Sequence, residues 1–360
     1  MGKQKSIMLL VTYKCNLHCS YCYEPKTSNF RMTVGKAKRV ITDQLFCLGD
    51  EYDSVEIQFM GGEPLLEYPL IKEVSEWLWS LPINQRLMVL FAPTNGTLLN
   101  EEMKSWFYVN RNRINLGLSF DGDNSMQDTN RSASSSRVDL EFFAKTWPEQ
   151  SVKMTISPET VELLSEGVLF LHSKGFKYIS ADLAMGDRLQ WTKDSLQKFQ
   201  YELRKLCYYY MDNPELIPFS MLRLDITSVC KKSTEGAKTC SCGENMVCVD
   251  WTGEQYACHL FSPVALPLEK ARRSNIIYDF SDHSQFNSDK CSRCALNNVC
   301  NHCYGMNYLC TNDVTQPSPF HCSAMKIVFA ANCRFRLALA ERNNDLQQVD
   351  SIINVINRVS

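Results

Sequence analysis

The chain has almost no net charge: 38 lysines and arginines stand against 40 aspartates and glutamates, leaving −2. That excludes the basic footprint by which nucleic-acid-binding proteins hold phosphate. Long apolar runs are missing too. The opening stretch SIMLLVTY is too short to span a bilayer, and no small-residue cleavage site follows it. The first residues, MGKQKS, place Gly2 and Ser6 in a myristoylation pattern, one short enough to arise often by chance. The chain is therefore expected in the cytoplasm, away from nucleic acid and membrane. Cysteine is absent between Cys47 and Cys207, yet 11 of the 17 cysteines fall between Cys230 and Cys322. In a reducing compartment such tight clusters are metal ligands rather than disulfides. Their uneven placement predicts two domains.

The first half alternates strand-like and helix-like segments. Short runs rich in β-branched and aromatic residues occupy 7–13, 54–60, 87–94, 114–120, 152–157 and 178–185. Between them lie segments of helical period such as 70–81 and 159–175. Repeated strand–helix alternation implies right-handed crossovers and a parallel sheet. Six units are fewer than the eight that close a barrel. The expected fold is α/β: a partial (β/α)6 TIM-like barrel over 1–225, with its chemistry at the carboxyl ends of the strands. A small Cys-rich domain over 226–335 and a C-terminal helical tail over 336–360 follow. RSASSSR (131–137) reads as a mobile loop and DNPELIPFS (212–220) as a linker. VCVDWTGEQYACHL reads as a hairpin with Cys248 and Cys258 on its two arms.

The loop after the first strand reads YKCNLHCSYCYEP, with thiols at Cys15, Cys19 and Cys22. A 4Fe–4S cubane is ordinarily held by four thiolates, so three leave one iron open, as reactive metal sites do and structural ones do not. A zinc knuckle borrowing His18 is the bland alternative. After the second strand comes FMGGEP, with Gly61, Gly62, Glu63 and Pro64; glycines there let the backbone approach a neighbour closely. The third strand ends in TNGTLL and the fourth in SFDGD.

The C-x3-C-x2-C loop, with Tyr21 before its last cysteine and GGEP one unit later, resembles the radical S-adenosylmethionine (SAM) superfamily. The resemblance implies that the open iron binds the amino and carboxylate groups of SAM, and that reductive cleavage yields a 5′-deoxyadenosyl radical that abstracts a substrate hydrogen. It further implies that the amide and carbonyl groups of Gly61, Gly62, Glu63 and Pro64 meet the SAM amino group. Asn95, Ser119 and Asp121 would lie near its amino-acid and ribose groups, and Arg131, or failing that Arg137, would pair with its carboxylate. Turn residues and a solvated arginine are the competing reading of these last positions.

The second cysteine field is spaced Cys242-x5-Cys248-x9-Cys258, then Cys291-x2-Cys294-x5-Cys300-x2-Cys303, and finally Cys322. It resembles the SPASM domain that follows many radical SAM cores, including a Gly253-x4-Cys258 element. That resemblance implies two auxiliary 4Fe–4S clusters, hence three clusters with SAM. Cys242, Cys248, Cys258 and Cys303 would hold the first, and Cys291, Cys294, Cys300 and Cys322 the second. The family usually separates the last pair of the central run by three residues rather than two, which leaves Cys310 as a substitute for Cys303. A pair of zinc sites is the alternative, since C-x2-C suits zinc equally. Each cluster would staple distant segments of a domain with little core of its own. Cys47, Cys207 and Cys333 read as buried small hydrophobes.

Enzymes of this class modify peptides or proteins. The expected activity is therefore oxidative modification of a ribosomally made peptide, with thioether formation leading among crosslinks, supported by a flavodoxin- or ferredoxin-type reductant. The alternative is a sulfatase-maturing, formylglycine-generating enzyme. That branch is expected to carry an acid directly after the hairpin-arm cysteine, where this chain has His259. A zinc-stapled binding protein is the rival from another class. Fourteen residues precede Cys15, so the barrel, the SPASM region or a separate leader-peptide-binding protein would recognise a precursor.

Overall fold

A computed structural model describes residues 3–26, 29–82, 87–186, 189–231, 238 and 240–359; the Gly2 myristoylation pattern lies outside them. All six predicted strands are present: β1 (Gln4–Thr12), β2 (Ser54–Gly61), β3 (Leu87–Thr94), β4 (Ile114–Leu118), β5 (Val152–Ile156) and β6 (Ile179–Leu183). Two more, β7 (Met246–Val249) and β8 (Gln255–Tyr256), form the predicted hairpin. Cys248 is on its first arm, paired with Tyr256, but Cys258 lies two residues beyond the second arm and begins a 3-10 turn.

The residues pack into two compact units. The first comprises 1–119, 134–150 and 241–281, and the second 120–133, 151–240 and 282–360. In the first, one sheet runs in the order β4-β3-β2-β1-β7-β8. Strands β1 to β4 are parallel, and β7 pairs in parallel with β1 over Ser6–Leu9. The expected divisions after residues 225 and 335 do not follow this packing. The hairpin continues the sheet that β1 begins, and residue 335 lies within the helix Pro319–Arg342.

β1 is buried on both faces from Ile7 to Thr12, as a strand with neighbours on either side should be. β2 alternates instead, with Val55, Ile57 and Phe59 fully buried. The helices after β1 and β3 start at side-chain caps: Thr33 Oγ1 accepts from Lys36 N–H, and Asn100 Oδ1 accepts from Met103 N–H. The hairpin turn is set by Asp250, whose Oδ1 accepts from the amides of Thr252, Gly253 and Glu254, and by Gly253 at φ +97°. Trp251 in that turn stacks on Phe30 at 4.2 Å.

In the second unit β5 and β6 form their own parallel pair. The helix Lys193–Asp212 opens on a Thr192/Ser195 capping box. The C-terminal segment has a core of its own, contrary to expectation. Ile226, Val229, Leu296, Val299, Phe329, Cys333, Ile352 and Val355 bury their side chains together, so the cysteine-bearing loop is anchored by Leu296 and Val299. The tail beyond the helix Pro319–Arg342 is the amphipathic helix Leu346–Val359. No helix among the described residues is long and apolar enough to cross a membrane.

Two stretches read as loops are packed structure. Ser134 is fully buried within 131–137, and Phe219 is fully buried within 212–220, its N–H donating to Tyr210 Oη at 3.0 Å. Cys207 and Cys333 are buried as expected, but Cys47 is exposed, because it caps the C-terminus of the helix Val34–Phe46 rather than belonging to its apolar face.

Candidate functional site

Cys15, Cys19 and Cys22 follow β1 on one irregular loop, all half-buried and none in a disulfide. The loop is held open by local bonds: Leu17 N–H donates to Cys15 Sγ at 3.5 Å, and Cys22 N–H to the Cys19 carbonyl at 3.1 Å. Half-buried Tyr21 occupies the turn between the last two thiols. Burial pushes the Cys15 thiol up to about 11 and raises that of Cys22. Lys26, whose Nζ donates to the Leu17 carbonyl, pulls both back toward thiolate. Three soft sulfurs on one loop beside a cation are a donor type that suits an iron–sulfur cluster with one open position, although among the described residues no three His, Cys, Asp or Glu side chains are gathered as around a single metal ion.

The GGEP turn serves this loop in a way that the sequence does not reveal. Gly62 N–H donates to the Thr12 carbonyl at 3.1 Å and Glu63 N–H to the Lys14 carbonyl at 2.8 Å. A Cβ on Gly61, at φ +140°, would stand 2.0 Å from the Thr12 oxygen, and one on Gly62 would stand 2.2 Å from the Lys14 oxygen. The close approach that glycine permits is to the backbone entering the cysteine loop. The amides of Gly62 and Glu63, expected to face a ligand, are already paired with that backbone.

Glu63 is buried and ties three segments together. Its Oε1 accepts from Leu65 N–H at 3.0 Å and Thr94 Oγ1 at 2.8 Å, and its Oε2 accepts from Asn95 N–H at 2.8 Å. Pro64 opens the 3-10 turn that Glu63 caps. Asn95 is thereby delivered to the cysteines. Its Nδ2 lies 4.0 Å from Cys15 Sγ and donates to Asn16 Oδ1 at 2.9 Å, while its Oδ1 accepts from Thr97. Asn16 Nδ2 in turn donates to Thr97 Oγ1 at 2.8 Å. Asn16 and Thr97 belong to the frame of the loop, though nothing in their spacing marks them.

Ser119 directly follows β4, its N–H donating to the Thr94 carbonyl at 2.8 Å. Asp121 and Arg131 fall in the second unit, where they pair with each other. Arg131 Nε is 3.0 Å from Asp121 Oδ2, and both side chains are buried. Asp121 also accepts from Thr155 N–H at 2.8 Å and Asn130 Nδ2 at 3.2 Å. Asp121 and the Nε edge of Arg131 are thus engaged inside the protein, a use the sequence reading did not foresee. Arg137 is exposed.

Sequence reasoning passed over Glu24, two residues after the last loop cysteine. Its Oε2 is buried with no hydrogen-bond partner among the described residues, and burial pushes its carboxyl up to about 7. His259 is alike: its Nδ1 is buried and unpartnered among the described residues, burial pushes it down to about 4, and its ring lies 5.9 Å from that of Tyr23.

Of the second cysteine field, Cys242, Cys248 and Cys258 are buried in the first unit. Burial raises the Cys248 thiol well above its ordinary value, and Cys258 adds to the shift. Cys303 lies in the second unit, where burial raises it and Cys240 adds to the shift. Cys291, Cys294, Cys300 and Cys322 fall together there. Burial pushes the Cys300 thiol up to about 12, and each of the other three adds to the shift. Four thiols, three of them close enough to act on the fourth, are a donor set that suits a tetrathiolate cluster.

Comparison with known proteins supplies the family. Residues 9–138 match the radical SAM superfamily model, over β1, the cysteine loop and the strands through β4. Over that stretch the chain carries a radical SAM domain, a domain of enzymes. An uncharacterised protein of Methanocaldococcus jannaschii is 29% identical to it over 224 residues, covering 59% of this chain and 76% of the relative. The radical SAM cyclopropyl synthase TigE of Paramaledivibacter caminithermalis is 23% identical over 333 residues, covering 85% and 68%. The structure of anSMEcpe with bound AdoMet and Cp18Cys peptide superposes with a TM-score of 0.69 at 18% identity, over 99% of this chain and all of that one. Streptococcus suis SuiB bound to precursor peptide SuiA gives 0.60 at 15% identity, over 85% and 73%. At these identities the solved structures establish a shared fold. The chain thus shares its fold with anSMEcpe and SuiB, and the radical SAM match over residues 9–138 sets the zinc-stapled binding protein aside.

Proposed function

We propose that the enzyme is a peptide maturase that uses SAM to oxidatively crosslink a ribosomally made peptide, with thioether formation from a substrate cysteine as the leading chemistry. The observation that carries the reading is the loop of three thiols, clamped by the GGE turn and Asn95 in one geometry. A cluster bound there would supply the electron that cleaves SAM. Cys15, Cys19 and Cys22 would hold its three closed irons, and the Glu63–Asn95 frame keeps Cys15 in place. The two auxiliary sets, with Cys303 assigned to the first by resemblance alone, belong to the same proposal.

Closing a thioether removes two hydrogens from the peptide. One leaves a carbon as a hydrogen atom to the 5′-deoxyadenosyl group. The other leaves the thiol as a proton, and the remaining electron passes to an auxiliary cluster. A peptide substrate is supported by two relatives of the same fold, anSMEcpe and SuiB, whose structures hold peptides. TigE, a cyclopropyl synthase by name, keeps carbon–carbon bond formation within the same class. Formylglycine formation is the second reading, favoured by the superposition on anSMEcpe over the whole chain. It is opposed by His259 standing where that branch is expected to carry an acid.

The test is the intact mass of a small peptide encoded beside the gene, co-expressed anaerobically with the enzyme. A loss of about two hydrogens per site supports the crosslink. No change there, with conversion of a sulfatase-derived Cys peptide instead, moves the enzyme to the second reading. Replacing Cys15, Cys19 and Cys22 by Ala is expected to abolish 5′-deoxyadenosine release and lower iron from about twelve to about eight per chain. Unchanged SAM cleavage would refute the assignment.

A further inference from the structure

The set Cys291, Cys294, Cys300 and Cys322 in the second unit has a neighbour that its spacing does not explain. His321 directly precedes Cys322, but its ring turns toward a different cysteine: Nε2 lies 3.6 Å from Cys300 Sγ. Its position is built. Ser318 caps the helix Pro319–Arg342, its Oγ accepting from His321 N–H at 3.2 Å, so His321 stands in a fixed first turn. Against its ring, edge to face at 6.3 Å, packs the buried ring of His302. His302 is itself oriented, because Asn307 Nδ2 donates both to His302 Nδ1 at 2.9 Å and to the Val314 carbonyl at 2.8 Å. A helix cap, a buried histidine and a bifurcated asparagine thus hold one imidazole nitrogen toward one sulfur. Surface histidines have no such support.

A thiolate bound to iron has no proton to give, so only the imidazole can donate across this contact. Hydrogen bonds to ligand sulfurs are among the levers that set the potential of an iron–sulfur centre, because they stabilise the extra negative charge of the reduced state. We infer that His321 is a positioning residue that donates Nε2–H to the Cys300 sulfur and thereby raises the reduction potential of the cluster held by Cys291, Cys294, Cys300 and Cys322. This rests on the reading that those four thiols carry an auxiliary cluster. Its consequence is directional: the cluster becomes a better acceptor for the electron that peptide oxidation releases.

The experiment is an anaerobic redox titration of the full-length holoenzyme, monitored by electron paramagnetic resonance, with iron counted on the same samples. His321→Phe keeps a ring of similar shape and removes the donor, whereas His321→Gln keeps an N–H near the Nε2 position. One auxiliary signal in the Phe variant is expected to become about tenfold harder to reduce at fixed potential, about 59 mV for a one-electron couple. The Gln variant should recover most of that shift. Full iron with an unmoved potential in the Phe variant overturns the inference while leaving the clusters in place. A wild-type protein holding only about four irons overturns the auxiliary-cluster reading, and the inference with it. Should the Phe variant lose iron, pulsed resonance on protein labelled with nitrogen-15 histidine decides. A weak nitrogen coupling to a reduced auxiliary cluster, lost in the iron-replete Gln variant, is expected. Its absence from the wild type overturns the inference.

Discussion

Adding one methyl group at Gly62 should cost the enzyme its first cluster. The Cβ of Gly62→Ala would lie 2.2 Å from the Lys14 oxygen, 2.5 Å from the Lys14 carbon and 3.0 Å from the Cys15 nitrogen. All three are backbone atoms, so no side chain can swing aside, and contacts that short require displacement on the order of 1 Å. What moves is the peptide that carries Cys15, or the turn that clamps it. In either case the bonds from Gly62 N–H to Thr12 and from Glu63 N–H to Lys14 are stretched. Two backbone hydrogen bonds at roughly 0.5–1.5 kcal/mol each, with overpacking strain of about 1–3 kcal/mol, give a loss of about 2–6 kcal/mol. The chemical loss should be larger, because a misplacement of about 1 Å at a reacting centre costs on the order of a hundredfold. The assay is anaerobic iron counting with 5′-deoxyadenosine release, with Gly35→Ala as the control, since nothing lies within 4 Å of a Cβ there. Gly62→Ala is expected to lose about four irons and nearly all SAM cleavage. Full iron and cleavage within twofold of wild type would refute the view that this turn exists to seat the cysteine loop.

Other consequences are open to direct measurement. Asp121→Asn removes the charge facing buried Arg131, and breaking such a pair should cost about 3–5 kcal/mol in denaturant unfolding; a loss under about 1 kcal/mol would mean that the pair is not buried as described. His172 is held neutral, its ordinary value lowered by burial, with Nε2 2.8 Å from Tyr210 Oη. Because its folded value lies below its unfolded one, the stability it contributes is present above about pH 6.5 and lost as pH falls through the lowered folded value. His172→Gln should flatten the pH dependence of stability in that acid window; an unchanged slope would assign it to other groups.

How much of this was legible beforehand depends on how local each signal is. The cysteine loop could be read because three thiols in eight residues are a complete chemical statement. The six strands could be read because their β-branched runs carry their own period. GGEP announced that backbone must come close to something, but the partner, the Lys14 carbonyl, is about fifty residues away and leaves no mark on the motif. The same holds for Phe219, which sits in a run of Asn and Pro that reads as linker and is buried because a tyrosine nine residues earlier accepts its amide. The pairing of β7 with β1 was least legible of all. Parallel pairing of Ser6–Leu9 with Met246–Val249 needs only two exposed edges and matching apolar faces, and any short strand offers those. Yet that pairing decides where Cys248 stands, opposite Met8 in a strand adjoining the one that ends at the cysteine loop. The spacing of the C-terminal cysteines therefore names a set of ligands, while non-local strand register brings three of them into the same unit as the first three.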